Sequence, residues 1–161
     1  MKRLLTILLL LTMLFNISTA GASVLLPAQL TEIEEEAFYG SDALAGLVEI
    51  PAGVSVIGAD AFSNTALFAL CLPEGVSRLG AQTLPQAAYV RLNGSNTQLA
   101  GLSGVRYLIA PAGSQGESYA QQSGLDFVAA SAVETSGQFL YREDDNGLTL
   151  LSAVDASLVE E

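Results

Sequence analysis

The chain has 161 residues, half of them hydrophobic, which is enough for one modest domain with a packed core and too apolar for a disordered tail. Seventeen carboxylates against six basic residues give a net charge of −11, a field that repels phosphate backbones and anionic headgroups, so nucleic acid is not an expected ligand. There is no histidine, which removes Ser-His-Asp and Cys-His catalytic arrangements and the common zinc sites.

The first element in the chain is an address. Lys2 and Arg3 precede an apolar run from Leu4 to Phe15, and small residues follow at Ser18, Ala20 and Ala22. That order predicts a secretory signal peptide over residues 1–22, cut after Ala20 or Ala22. The apolar run reaches about 18 Å as a helix, short of the ~30 Å hydrocarbon core, so no membrane insertion of the mature chain is expected. With Lys2 and Arg3 gone, four basic residues face 17 carboxylates and the net charge becomes −13. No cysteine stands near the cleavage site to accept a lipid. The single thiol, Cys71, can close no intramolecular bridge and reads as a small apolar filler.

After the leader the chain repeats itself. Leu26-Pro27-Ala28-Gln29-Leu30-Thr31-Glu32-Ile33, Ile50-Pro51-Ala52-Gly53-Val54-Ser55-Val56-Ile57 and Leu72-Pro73-Glu74-Gly75-Val76-Ser77-Arg78-Leu79 share one pattern: apolar, Pro, two variable, apolar, Ser or Thr, variable, apolar. Five residues beyond each lies a large apolar residue, at Phe38, Phe62 and Leu84. The prolines fall 24 and then 22 residues apart, and shorter copies open at Leu92-Asn93 and Ala110-Pro111. A period of this length means a solenoid, because one such unit cannot bury its own apolar face and stacking must do it.

Before each proline position the residues alternate: Val24-x-Leu26, Val48-x-Ile50, Leu70-x-Leu72, Val90-x-Leu92 and Leu108-x-Ala110. In a strand these side chains share one side, so each coil adds one rung to a parallel ladder with an apolar inner face. Proline ends the rung, having no N–H for the ladder. Gly40, Gly58, Gly80 and the Ser63 to Thr65 cluster supply the bends of the return path. Between the inward residues the opposite face receives Leu25, Leu47, Glu49, Ala69, Cys71, Tyr89, Arg91, Tyr107 and Ile109.

The recurring Leu-Pro-x-x-Leu-Thr-x-Ile-x-x-x-Ala-Phe unit resembles the BspA-type (Treponema-type) leucine-rich repeats of bacterial and protist surface proteins. The resemblance is good over Val24 to Leu92 and weak over Asn93 to Ala110; in the third copy Thr83-Leu84 stands where the first two have Ala-Phe. It implies adhesion or ligand binding and brings no defined catalytic residues. Ile109 to Val128 is similar to the segment that often closes such an array, with a short helix around Glu117 to Gln122 capping the open apolar end. The expected fold is therefore a β-rich leucine-rich-repeat solenoid of short parallel strands over residues 23–130, with its capping helix.

Past Ala130 the sequence reads as a linker from Ser131 to Gly137. A β-hairpin follows, with Phe139 to Arg142 and Leu148 to Leu151 around Asp144-Asp145-Asn146-Gly147, where Asn-Gly is the turn signal. Residues 131–161 are read as the linker and hairpin, and as the start of a truncated further module.

Chemistry-bearing clusters are sparse. Glu32, Glu34, Glu35 and Glu36 fit a solvated outer turn far better than a cation site or an acid/base pair. Asp144 to Gly147 lacks the spaced carboxylates of a calcium loop, and no Gly-rich phosphate loop or nucleophile elbow is present. No catalytic, cofactor-binding or metal-binding residue is assigned and no cofactor is expected. Three functions are weighed. The first is an extracellular or cell-surface module that binds a protein or glycan through the exposed strand face. The alternative is a structural spacer or truncated fragment of a larger surface protein; a carboxylate-based hydrolase is a distant third, since no spacing indicates two acids at catalytic separation. For the first, Glu49, Tyr89, Arg91 and Tyr107 are the candidate ligand-binding residues, because tyrosine and arginine beside small and apolar groups favour contact. The competing possibility is that the tyrosines only stack on neighbouring rungs. On this reading the exported chain begins at Gly21 or Ser23, and N-terminal sequencing that finds Met1 on extracellular protein contradicts it.

Overall fold

The computed structural model describes residues 24–84, 87, 89–136, 139–144 and 147–153; the expected leader lies outside them. The alternating segments form the strands anticipated for them. Strands β1 (Val24–Leu25), β3 (Ala45–Glu49), β5 (Ala66–Leu72), β8 (Tyr89–Leu92), β11 (Tyr107–Ala110) and β12 (Asp126–Ala129) make one six-stranded sheet in that order. Every pair in it is parallel. Register is set by the inward apolar residues: Val24 pairs with Val48, Val48 with Leu70, Leu70 with Val90, and Val90 with Leu108. A slip of one residue would turn each of them to the outer face.

The return path holds more regular structure than its sequence suggests. Strands β2 (Glu32–Ile33), β4 (Val56–Ile57), β6 (Arg78–Leu79) and β9 (Gln98–Leu99) form a second parallel sheet. Strands β7 (Gln82–Thr83) and β10 (Leu102–Ser103) add a two-stranded ladder at the far bend. Between the sheets lies one apolar core in vertical columns: Val48-Leu70-Val90-Leu108, Ile50-Leu72-Leu92-Ala110, Ile33-Ile57-Leu79 and Phe38-Phe62-Leu84, all buried. Phe38 and Phe62 stack face to face with centroids 5.4 Å apart and planes at 10°. Burying one such side chain is worth about 1.5–3 kcal/mol, and each column gains it only because the next coil supplies the other wall.

Coils touch through backbone at the bends. A Cβ on Gly58 would lie 2.3 Å from the Glu35 amide nitrogen, and one on Gly80 would lie 2.5 Å from that of Ala59, so only glycine allows the spacing there. Buried Gln82 ties the same bend together: its Oε1 accepts from the Phe62 amide at 2.9 Å and its Nε2 donates to the Gly58 carbonyl at 2.6 Å. The acidic turn stays in water, with Glu32, Glu34, Glu35 and Glu36 all exposed.

Helix α1 (Gln115–Ser123) lies where a cap was expected. Ser114 is its N-cap, its hydroxyl accepting from the Glu117 amide at 3.3 Å, and Glu117 reaches back to the Gly113 amide at 2.7 Å. Gly124 ends it in the left-handed region, φ 70°. The helix packs on β11, β12 and β9, with Gly116 and Ala120 buried. Beyond it the expected hairpin is present, β14 (Phe139–Asp144) against β15 (Gly147–Ala153), antiparallel, with a bulge between Leu140 and Tyr141. The linker expected before it is a correction. Ala130–Ala132 form one 3-10 turn, and β13 (Val133–Ser136) pairs antiparallel with β14, making a three-stranded meander. Val133 and Thr135 are β-branched and favour a strand, an indication outweighed in the sequence by the Ser and Gly around them. Among the described residues no helix is long and apolar enough to cross a membrane.

Phe62→Ala removes the centre of the best-packed column and should cost about 3–5 kcal/mol in chemical denaturation. A loss below about 1 kcal/mol is what an exposed ring would show.

Candidate functional site

The outer face of the six-stranded sheet carries two rows. One runs Leu25, Glu49, Cys71, Arg91, Ile109, Val128; the other runs Leu47, Ala69, Tyr89, Tyr107, Asp126. Alternation places them opposite the core columns, as the sequence implied. Exposure along the rows does not follow from alternation alone. Leu25 is 82% exposed and Glu49 is exposed, whereas Ala69, Tyr89 and Ile109 are buried.

Tyr89 is therefore a correction. It lies on the outer face, but only 1% of it is accessible, so it cannot be a free contact residue. It sits in a second apolar cluster with Ala69, Ile109 and Val128, ringed by Leu47, Phe68, Cys71, Tyr107 and Ala130. A β-bulge helps to bury it. Register runs Gly46 to Leu67 and then Leu47 to Ala69, leaving Phe68 as the extra residue in β5. Phe68 meets Tyr89 edge-on, centroids 6.0 Å apart and planes at 88°, a favoured aromatic geometry.

The remaining candidates are accessible. Tyr107 is half-buried beside Tyr89 on the next rung, and the exposed Arg106 lays its guanidinium 5.1 Å over the Tyr107 ring. Arg91 is half-buried and its Nε donates to Asn93 Oδ1 at 3.3 Å. Glu49 and Arg91 stand on either side of Cys71, and the three line a cleft of about 320 Å³ together with Asn93 and Pro73. The structure thus unites Glu49 with Arg91 in one cleft and sets Tyr107 beside it, with Tyr89 as the buried support. Cys71, Asn93, Arg106 and Phe68 were not among the sequence candidates. Adjacency to Arg91 and Tyr107 could have signalled Asn93 and Arg106; nothing in the repeat pattern signals the bulge.

Electrostatics along the row favour a neutral thiol. The Cys71 pKa is pushed up from 9.0 to about 11, by burial first and by the Glu49 carboxylate second, against a smaller opposing pull from Arg91 and a hydrogen bond with Tyr89. Burial likewise raises the Tyr89 hydroxyl. The face presents two carboxylates, Glu49 and Asp126, two guanidinium groups, an amide and aromatic surface, which suits contact rather than nucleophilic chemistry. Among the described residues no three potential metal ligands converge.

The family model described as BspA type Leucine rich repeat region matches residues 13–95, with 6 copies. No curated protein and no solved structure matches the chain.

Both raised pKa values link to stability with the same sign. The folded chain holds these protons to higher pH than the unfolded one, so the Cys71 contribution is fully present below pH 9 and is lost as pH rises through about 11, while the Tyr89 contribution is fully present below pH 10 and is lost only at still higher pH. Denaturation midpoints should fall over that window. Iodoacetamide at pH 8 should alkylate Cys71 about 100-fold more slowly than in unfolded chain, from the thiolate fraction alone, and Glu49→Gln should speed the reaction. Alkylation at the unfolded rate contradicts this account of the row.

Proposed function

The chain belongs to the BspA-type leucine-rich repeat family, and on that premise we propose that it is an exported binding protein whose outer strand face engages an extracellular protein. The observation behind this reading is the cleft with Glu49 and Arg91 on either side of Cys71, next to the Arg106-capped ring of Tyr107. The rungs hold the Glu49 and Arg91 backbones at fixed spacing, two ladder steps apart, or roughly 10 Å at ~4.8 Å per step. Opposite charges carried on nearby rungs favour a partner with a basic and an acidic group and penalise partners without them. A tyrosine and arginines beside an apolar cluster are the residue types that dominate contact energies.

Export is supported by the leader pattern of residues 1–22 and by the surface or secreted setting usual for the family. A leucine-rich-repeat solenoid is typically a scaffold for binding without catalysis. Glycans remain the other ligand class for the strand face, but charged side chains spaced across rungs favour protein.

The test replaces accessible residues only. The triple variant Glu49→Gln, Arg91→Gln, Tyr107→Ser should keep the parent's circular dichroism and still unfold cooperatively, with a modestly lower melting temperature because Arg91 and Tyr107 are half-buried. It should capture at least tenfold less partner from extracellular protein preparations than the parent. Equal capture by a folded triple variant would place the binding face elsewhere. Tyr89→Ala, by contrast, should unfold the protein at lower denaturant, because it empties the centre of a cluster.

A further inference from the structure

The helix that closes the stack also builds a cleft that the strand face does not share. Gln115, Ser118, Tyr119 and Gln122 fall at i, i+3, i+4 and i+7 of α1, one stripe of the helix. They meet Thr97 and Gln98, at the start of edge strand β9, around a space of about 330 Å³. Gly116 and Ala120 pack on the core, and the neighbouring stripe of amides, a hydroxyl and an aromatic ring is exposed at Gln115, Ser118 and Gln122 and half-buried at Tyr119. No charged side chain lines the cleft, although the chain as a whole has a net charge of −11. Glu117, the one acid of the helix, is turned away to the Gly113 amide at 2.7 Å and to Gln121 Nε2 at 3.4 Å.

The walls are held in place from behind. The Tyr119 hydroxyl accepts from the Leu102 amide at 2.7 Å, which fixes its half-buried ring, and buried Thr97 donates to the Val76 carbonyl at 2.8 Å. The amides of Gln98, Gln115 and Gln122 have no protein partner among the described residues. Each offers two donors and an acceptor.

We propose that this cleft is a second binding site, for a neutral oligosaccharide. Vicinal hydroxyls each donate and accept, so an amide can answer both functions of a sugar edge, and the apolar C–H face of a pyranose suits the fixed Tyr119 ring. The volume lies at the small end of ligand pockets, ~300–1,000 Å³. The acidic molecule discriminates against anionic sugars by its field.

Saturation-transfer NMR on the intact protein tests this with maltotetraose, cellotetraose and tetra-N-acetylchitotetraose as neutral probes and sialyllactose as the anionic control. At least one neutral probe should receive transfer on its ring protons, and sialyllactose should receive less. The double variant Gln98→Ala, Gln122→Ala should keep the parent's melting behaviour and weaken binding of that probe about tenfold, the scale of losing two hydrogen bonds. Glu49→Gln with Arg91→Gln should leave the sugar signal unchanged, which separates this site from the strand face. The proposal is overturned if all three neutral probes give no transfer, if the glutamine variant binds like the parent, or if the strand-face variant is the one that loses the sugar.

Discussion

One coil of this chain leaves both of its apolar edges open, so the whole structure depends on in-register contact between successive coils. Phe62 lies over Phe38, and the columns through Val48, Ile50 and Ile57 are walled only by the coils before and after them. Backbone spacing at the bends enforces the same contact. Gly58 and Gly80 sit against the previous coil with no room for a methyl group, and Gln82 bonds to one amide and one carbonyl of the coil below it. Such a stack has nearest-neighbour energetics, and its ends need closure. Helix α1 supplies closure at one end, where Gly116 and Ala120 let it approach β11.

Register on the inner face dictates what the outer face can present. Because Val48, Leu70 and Val90 must point inward, Glu49, Cys71 and Arg91 are forced into one outward row, and their spacing is inherited from the ladder. The bulge at Phe68 breaks this rule locally. It adds a ring to the outer face that alternation would not place there, and that ring packs on Tyr89. The outcome is an apolar support under an accessible edge of charged and aromatic groups. Stability and recognition are thereby divided between neighbouring residues on one face: Tyr89 serves the first, and Glu49, Arg91 and Tyr107 are proposed to serve the second.

Much of the architecture was legible in the sequence because its signals were local. Alternation before each proline announced the strands of the main sheet, the Phe38-Phe62-Leu84 series announced a buried column, the likeness of Ile109 to Val128 to a closing segment announced a short capping helix around Glu117 to Gln122, and Asn146-Gly147 announced a hairpin. What escaped depended on other coils. Two-residue strands such as Val56–Ile57 have no periodicity to read and exist only because Glu32–Ile33 and Arg78–Leu79 lie alongside. The burial of Tyr89 depends on Phe68, Ile109 and Val128, which come from three other strands, and no window around Tyr89 contains them. Strand β13 was hidden by the Ser and Gly content of its surroundings and becomes a strand only by pairing with β14.

The most direct measurement is the set of cross-strand nuclear Overhauser effects along the main sheet, since both the core columns and the outer row follow from one register. The account requires backbone contacts that link Val48 to Leu70, Leu70 to Val90, and Val90 to Leu108, together with ring contacts between Phe38 and Phe62 and between Phe68 and Tyr89. Contacts displaced by one residue, such as Val48 to Cys71, would turn the inner face outward. That result would contradict the fold and, with it, the placement of every residue proposed for binding.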